Sequence, residues 1–222
     1  MKARMRVLAI DVGGNNVKIC VSGQKEPRKF PSGPRLTPRK MVAGVKALTK
    51  DWKYDVVSIG YPGVVRGNRI AVDPVNLGRG WVGFSFRAAF RRPVKVVNDA
   101  VMQAIGSYQG GTMLFLGLGT GLGTALVVNG HVVPMELGHF PYKKKTIEDH
   151  LGIQGLESLG MSRWRKLVAE VTRAFVAAFL VDDVVLGGGN VKKLARLPKG
   201  CRAGANANAF LGGFRLWEDG AR

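Results

Sequence analysis

One pattern occurs twice in this chain and limits what it can fold into: an apolar strand, a glycine-bearing turn and a second apolar strand. The first copy runs from Val7 to Val12, turns through Gly13-Gly14-Asn15-Asn16 and resumes from Val17 to Val21. The second runs from Met113 to Leu118 and resumes from Thr124 to Val128, with glycines at 117, 119, 121 and 123 around Thr120. Short apolar runs closed by turn residues read as buried strands paired in a hairpin. Two such hairpins, one in each half of the chain, predict a duplicated α/β architecture.

The rest of the chain supplies the helices and strands this architecture needs. Thr37 as N-cap and Pro38 at the first helical position predict a helix to about Trp52. Residues 23–39, rich in Pro, Gly and basic residues, read as loop with one short strand. Val56 to Tyr61 is a strand stopped by Pro62-Gly63, and Val94 to Val97 is another, followed by Asn98-Asp99 and a helix to about Gln109. Asn129-Gly130 marks a hairpin turn. Met161 to Val181 is the longest helix, because Trp164, Leu167, Val168, Val171, Phe175, Ala178 and Phe179 fall on one helical face. Val184 to Leu186 is a short buried strand, Gly187-Gly188-Gly189 turns, a helix starts at about Asn190, and Ala207 to Trp217 closes the chain as a helix.

Composition narrows the class. The 222 residues, 46% hydrophobic, suffice for one sizeable core or two small lobes sharing a cleft. Thirty-four basic against fifteen acidic residues give +19, and residues 1–53 alone hold 13 Lys/Arg and 3 Asp/Glu. Such a field favours a polyanion: nucleic acid, an anionic membrane surface or a phosphate polymer. The plainer alternative is a basic, solvated surface that keeps the chain in solution. Cys20 and Cys201 are the only cysteines, too few for a disulfide framework and without a Cys-x-x-Cys pair, which fits a reducing cytoplasm. No apolar run approaches the roughly 18 residues of a membrane span. The stretch before Asp11 is shorter than the ~7–15 apolar residues of a signal-peptide core, so it reads as a first strand. A cytoplasmic protein with no membrane partner is the expectation.

Five segments carry chemistry. In Leu8 to Lys18, Asp11 at a strand end beside Gly13-Gly14 can hold a hydrated Mg²⁺ while exposed amides hold a phosphate; the alternative is an Asp that serves an ordinary turn. In Phe115 to Leu126, four alternating glycines around Thr120 can wrap a phosphate, or form only a Gly-rich hairpin. No Gly-Lys-Ser/Thr follows, and a strand rather than a helix comes next, so this is neither a P-loop nor a dinucleotide fingerprint. In Val96 to Ala100, Asp99 stands either as a helix N-cap or as a general base at the C-terminal end of a strand, where open α/β sheets place ligands. In Glu136-Leu-Gly-His139 a carboxylate and an imidazole can grip vicinal hydroxyls; a metal pair is conceivable, with no third ligand nearby. His131 and His150 have no motif around them and read as surface residues. Finally, Val184 to Asn190, with its triple glycine, can receive an adenine-ribose face or more phosphate.

The order of these motifs, Asp-x-Gly-Gly, Pro-Gly, Asn-Asp-Ala, Leu-Gly-x-Gly-Thr-Gly-x-Gly, Glu-Leu-Gly-His and Gly-Gly-Gly, resembles the ROK family (repressors, open reading frames, kinases) of the actin/hexokinase superfamily from about Leu8 to Trp217. Within it the chain is most similar to polyphosphate glucokinases, through Tyr61-Pro-Gly-Val-Val65, Val75-Asn76-Leu77 with Trp81-Val-Gly83, Val133-Pro134 ahead of Glu136, and Trp164-x-Lys166. The resemblance implies an actin-like, ribonuclease H-like duplicated α/β fold with two lobes around a central cleft. Residues 1–108 would form an N-terminal lobe, joined by a C-terminal helix 206–222, and residues 109–205 a C-terminal lobe.

The resemblance also implies roles. Asp99 would be the catalytic base, and Asn76, Asn98, Glu136 and His139, with Glu157, would hold the sugar. Asp11, Gly13, Gly14, Asn15, Lys18, Gly119, Thr120, Gly121 and Gly187 to Gly189 would hold the phosphoryl donor, polyphosphate or ATP, with Mg²⁺ at Asp11 through water. Glucose would be the acceptor and the chain a homodimer; the alternatives are an ATP-dependent ROK kinase of another hexose or N-acetylhexosamine and a non-enzymatic sugar- or polyanion-binding protein on the same fold. Many family members carry zinc on a His and a Cys cluster; Gly152-Ile-Gln-Gly-Leu-Glu157 occupies that region without cysteines, so zinc is not expected. Only ten residues precede Asp11, which leaves no room for a repressor's DNA-binding domain and implies no specific DNA site. For a polyphosphate donor, Lys18, Arg79, Lys143 to Lys145, Lys192 and Lys193 are candidates for a basic track.

Overall fold

A computed structural model describes residues 5–205 and 207–218. The chain divides into two compact units: residues up to Met102 together with the segment from Ala209, and Gln103 to Asn208. The division falls inside the helix that follows Asp99, six residues earlier than the boundary at 108 read from the sequence. Positions 206 and 219–222 of the expected C-terminal helical segment lie outside the described residues.

The first unit opens with the expected hairpin, β1 (Val7–Val12) and β2 (Asn16–Val21), extended by an antiparallel β3 (Arg28–Pro31). Helix α1 (Pro38–Leu48) starts where Thr37 accepts a hydrogen bond from the Lys40 amide, and stops four residues short of Trp52. Strand β4 (Val56–Tyr61) pairs parallel with β1. A small hairpin, β5 (Val65–Arg66) and β6 (Arg69–Ile70), and the short helix α2 (Phe86–Phe90) lead to β7 (Val94–Asn98), parallel to β4, and then to α3 (Asp99–Ser107). The sheet order is β3-β2-β1-β4-β7.

The second unit repeats that order. Strands β8 (Thr112–Leu118), β9 (Leu122–Val128) and β10 (His131–Met135) are antiparallel neighbours, with Asn129-Gly130 at the second turn. A hairpin, β11 (Pro141–Tyr142) and β12 (Lys145–Thr146), precedes helices α4 (Ile147–Leu151), α5 (Ile153–Leu159) and α6 (Met161–Phe179). Strand β13 (Asp183–Gly187) pairs parallel with β8, and β14 (Cys201–Ala203) parallel with β13, giving β10-β9-β8-β13-β14. Both sheets therefore run antiparallel, antiparallel, parallel, parallel from one edge to the other, which is the duplication read from the two hairpins. One expected element differs: after the triple glycine there is only a 3₁₀ turn, Val191 to Lys193, where a helix was read.

Alternation along β1 explains why it reads as a continuous apolar run. Leu8, Ile10 and Val12 pack with Ile19, Met41, Val45, Tyr61 and Trp81, while Ala9 on the opposite face packs with Cys20 and Phe210. A strand covered on both faces needs apolar residues at every position. Phe210 belongs to the last helix, α7 (Asn208–Arg215), and Ser58 of β4 fixes that helix by donating to the Gly213 carbonyl at 2.6 Å and accepting from the Trp217 indole at 2.9 Å. In the second unit Leu114, Leu116, Leu118 and Leu186 pack against Trp164, Val168, Val171 and Phe175, the helical face read from the sequence.

Candidate active site

In the first unit the candidate residues gather at one edge of the sheet. Asp11 pairs in register with Gly60 of β4, which pairs with Val97 of β7, so the ends of β1 and β7 lie two strand spacings apart, about 10 Å. Asp99 and Asn98 stand at the C-terminal end of β7, and Gly13 and Gly14 at the C-terminal end of β1. Gly60 lies under this junction: a Cβ there would displace the flexible end of Met102 and stand in ordinary contact, 3.5 Å, with the Asp99 Cα.

Asn98, not Asp99, caps α3. Its Oδ1 accepts from the Ala100 amide at 2.8 Å and the Val101 amide at 3.2 Å, while its Nδ2 donates to the Gly63 carbonyl at 3.1 Å. Asp99 occupies the first helical position, and its Oδ1 also lies 2.8 Å from the Ala100 amide. The cap reading was therefore correct for the junction and one residue off for the side chain. With both lone pairs of Oδ1 engaged, Asn98 keeps one N–H for a ligand.

The turn after β1 is closed by the Gly13 amide donating to the Asn16 carbonyl and held from outside by Ser32, whose hydroxyl donates to the Gly13 carbonyl at 2.6 Å. Sequence reading missed Ser32; its place opposite Asn15 follows from the β2–β3 pairing, which a lone serine in a loop does not signal. Asp11 faces Lys18 across the hairpin, with Lys18 Nζ 4.0 Å from its carboxylate. Burial pushes the Asp11 carboxyl above its ordinary value, and Lys18 offsets only part of that. Asn76 and Arg79 are exposed on the loop between β6 and α2. Asp73 shapes that loop by accepting from the amides of Gly80, Trp81 and Val82, which together with Arg79 holds its carboxyl below the usual range.

In the second unit the glycine loop and the triple glycine are joined. Asn190 donates from its backbone to the Leu118 carbonyl at 3.0 Å and from Nδ2 to the Gly119 carbonyl at 2.9 Å. Gly188 lies against Leu118 with φ 84°, a conformation and a closeness that exclude a side chain. Gly119 and Gly189 have open space where a Cβ would be. Thr120 is exposed and its carbonyl accepts from the Ile153 amide at 3.0 Å.

Glu148 is the residue the sequence reading overlooked. Its Oε2 accepts from the Leu122 amide at 3.0 Å, and a Cβ on Gly121 would collide with that same carboxylate oxygen. Its Oε1 lies 3.9 Å from His139 Nε2. The Glu136 carboxyl is raised by loss of solvation at its crowded position, lowered in part by His139 and raised further by Glu148. Glu136, His139 and Glu148 thus form one electrostatic group beside the glycine loop. Glu157 is exposed on α5, apart from these contacts among the described residues. The signal for Glu148 was present in Thr146-Ile-Glu-Asp149, a capping box in which Thr146 and Asp149 bond reciprocally and so orient the first turn that carries Glu148.

Other expectations sort as follows. His131 is exposed, but His150 is not a surface residue: it packs edge-on against Tyr142 with ring centroids 5.6 Å apart, and its Nε2 is buried without a partner. Lys143 to Lys145 lie in the β11–β12 hairpin, Lys143 being 3.8 Å from Glu170, and Lys192 and Lys193 lie in the 3₁₀ turn. Among the described residues no group of three or more His, Cys, Asp and Glu is placed to share a metal ion, and no helix is long and apolar enough to cross a membrane.

Residues 7–155 match the ROK family. The chain belongs to the ROK family. Among its relatives, a polyphosphate glucokinase of Mycobacterium leprae (strain TN) is 25% identical over 216 residues, which cover 87% of this chain and 66% of that protein. An N-acetylmannosamine kinase of Yersinia pestis (strain Pestoides F) is 26% identical over 161 residues, 66% of this chain and 55% of the relative. This ROK chain thus spans about two thirds of the one and just over half of the other. The crystal structure of an inorganic polyphosphate/ATP-glucomannokinase from Arthrobacter sp. strain KM superposes with a TM-score of 0.81 at 21% identity, over 95% of this chain and 97% of that one. The actin-like α/β fold expected for a ROK protein is therefore the fold of this chain.

Proposed function

We propose that this ROK protein is a sugar kinase that transfers a terminal phosphoryl group from polyphosphate or ATP to the 6-hydroxyl of glucose. The observation that carries the reading is the division of labour at the β7–α3 junction. Asn98 supplies the cap, and Asp99, at the first helical position and the C-terminal end of its strand, stands where a general base for an attacking hydroxyl would stand in an open α/β sheet. Glu136, His139 and Glu148 take the sugar hydroxyls, with Glu148 in the place first given to Glu157, and Asn76 and the remaining Asn98 N–H assist. The amides of Gly13, Gly14, Asn15, Gly119, Thr120 and Gly121, together with Lys18, hold the phosphates, and Gly187 to Gly189 line the donor side.

Asp11 fits a magnesium ion. It is a single carboxylate raised above its ordinary value by burial, which a cation would relieve, and Mg²⁺ binds through one or two carboxylates while keeping waters. When bound, the ion would screen the charge of the donor phosphates. The name of the Mycobacterium relative and the +19 charge support polyphosphate as donor. The Yersinia relative supports a second reading, an ATP-dependent kinase of N-acetylmannosamine. A homodimer in the cytoplasm belongs to the same proposal and rests on the family resemblance.

The test is a coupled assay of the purified chain over glucose, mannose, fructose and N-acetylmannosamine, each with ATP and with long-chain polyphosphate. Glucose 6-phosphate formation with polyphosphate supports the first reading. Turnover of N-acetylmannosamine with ATP alone replaces it by the second, and no turnover with any pair overturns both.

A further inference from the structure

The first unit carries a second basic feature that the reaction above does not use. A shallow depression of about 420 Å³ is lined by Ser85, Arg87, Ala88, Arg91, Arg92 and Pro93. Three exposed guanidiniums border it and no carboxylate does. Among the described residues none of the three takes part in an ion pair; Arg92 donates only to the carbonyls of Tyr54 and Arg91. Arg91 has φ 52°, the left-handed C-cap that ends α2. Like charges bordering one depression without a carboxylate are an arrangement that a multivalent anion stabilises.

The depression is not the Asp99 site. Pro93 precedes β7, and Asp99 follows it, so the two lie at opposite ends of a five-residue strand, about 16 Å apart along its length. The lining contains no aromatic ring on which a base could stack, whereas single-stranded nucleic acid is gripped by stacking as well as by charge. Arg forks suit phosphate oxygens bidentately, and the Ser85 hydroxyl, which accepts from the Ala88 amide, retains its own proton to donate.

We propose that this depression is an exosite for an oligophosphate anion, a run of closely spaced phosphates without bases, bound by Arg87, Arg91, Arg92 and Ser85. The exosite does not rest on the sugar-kinase reading, because its test is binding at named arginines rather than turnover. The full chain is labelled with phenylglyoxal at about 0.15 M ionic strength, and modification of each arginine is followed by peptide mass spectrometry. Sodium tripolyphosphate should slow labelling of Arg87, Arg91 and Arg92 at least fivefold and leave the exposed Arg39 on α1 unchanged. In the doubly substituted Arg87→Gln, Arg91→Gly chain, whose glycine suits the left-handed φ, protection of Arg92 should vanish while the circular dichroism spectrum is retained. Absence of protection, equal protection by sulfate at the same ionic strength, stronger protection by a 20-nucleotide single-stranded RNA, or persistent protection of Arg92 in the double variant would each overturn the assignment.

Discussion

Replacing Asn98 by Ala separates the two duties at the β7–α3 junction. The substitution removes the acceptor for the Ala100 and Val101 amides and the donor to the Gly63 carbonyl. Loss of an N-cap costs about 1 kcal/mol, and loss of the side-chain bond to a backbone carbonyl costs about 1 kcal/mol more, for a total of about 2 kcal/mol. For a unit of roughly a hundred residues that corresponds to a melting point about 10 °C lower. Asn98→Ser keeps a capping oxygen and loses the reach to Gly63, so it should cost about 1 kcal/mol. Urea unfolding followed by tryptophan fluorescence suits the measurement, since Trp52, Trp81 and Trp217 all lie in the unit concerned. An Ala variant within about 0.5 kcal/mol of the native chain would refute the assignment, surface-like changes being that small. So would an Asp99→Ala variant that loses more stability than Asn98→Ala, because Asp99 would then be the cap.

Further outcomes are expected. Asp99→Asn should lower turnover on the productive sugar by about 10²–10⁴ while leaving sugar affinity and unfolding midpoint nearly unchanged; native turnover would remove Asp99 from the role of base. Gly121→Ala should lower thermal stability, since its Cβ collides with the Glu148 carboxylate, and Glu148→Ala should restore part of the loss in the double variant; independent, additive losses would show that the two do not meet. Asp11→Asn should stabilise the first unit at pH 7. Folding raises the Asp11 value, so the native carboxyl contributes stability below its ordinary value of 3.8 that is lost as pH rises through the folded value. The advantage of the variant in urea midpoint should therefore grow with pH above 3.8 and then level off; an advantage that shrinks with pH would reverse the sign assigned to burial.

Local chemistry was sufficient for most of the fold. Val7 to Val12 and Val56 to Tyr61 are each followed by glycine or proline and are apolar but for Asp11 and Ser58, so their strands are where the sequence puts them. The long α6 helix was legible because its apolar stripe extends over five turns. Asn190 was misread because an Asn after three glycines looks like a helix start, whereas its side chain is spent on the Gly119 carbonyl, 71 positions away. No local rule reports such a bond. Glu148 was missed for a related reason. Its partners, the Leu122 amide and the His139 ring, come from two other elements, and only the fold brings them to the first turn of α4. His150 looked like a surface residue for want of a motif, but burial beside Tyr142 is a tertiary fact.

The repeated sheet shows how one scaffold supports two different turns. In both units the hairpin at the centre is antiparallel and its partner strand parallel, so each turn emerges at the C-terminal end of a buried strand, where backbone amides point away from the sheet. What distinguishes the turns is what pins them. Ser32 holds the first through its hydroxyl on the Gly13 carbonyl and its amide on the Asn15 carbonyl, and the adjacent Asp11 is left as a buried carboxylate of raised proton affinity. Asn190, Ile153 and Glu148 hold the second from three sides, and no carboxylate lies within its four alternating glycines. The first turn therefore has a carboxylate in its own strand, whereas the second is met by one from outside, Glu148, whose Oε2 is taken by the Leu122 amide. Transplanting the acid tests the effect of these surroundings: by strand register Asp11, paired with Gly60, corresponds to Gly117, paired with Gly187. Asp11→Asn with Gly117→Asp should lose the Mg²⁺ binding expected of the native chain, because an acid at 117 stands against the Phe115 ring and has no counterpart of Lys18 across its hairpin, where Gly123 pairs with it. A folded double variant that binds Mg²⁺ as the native chain does would show that position in the duplicated strand, and not the surroundings of Asp11, decides where the cation goes.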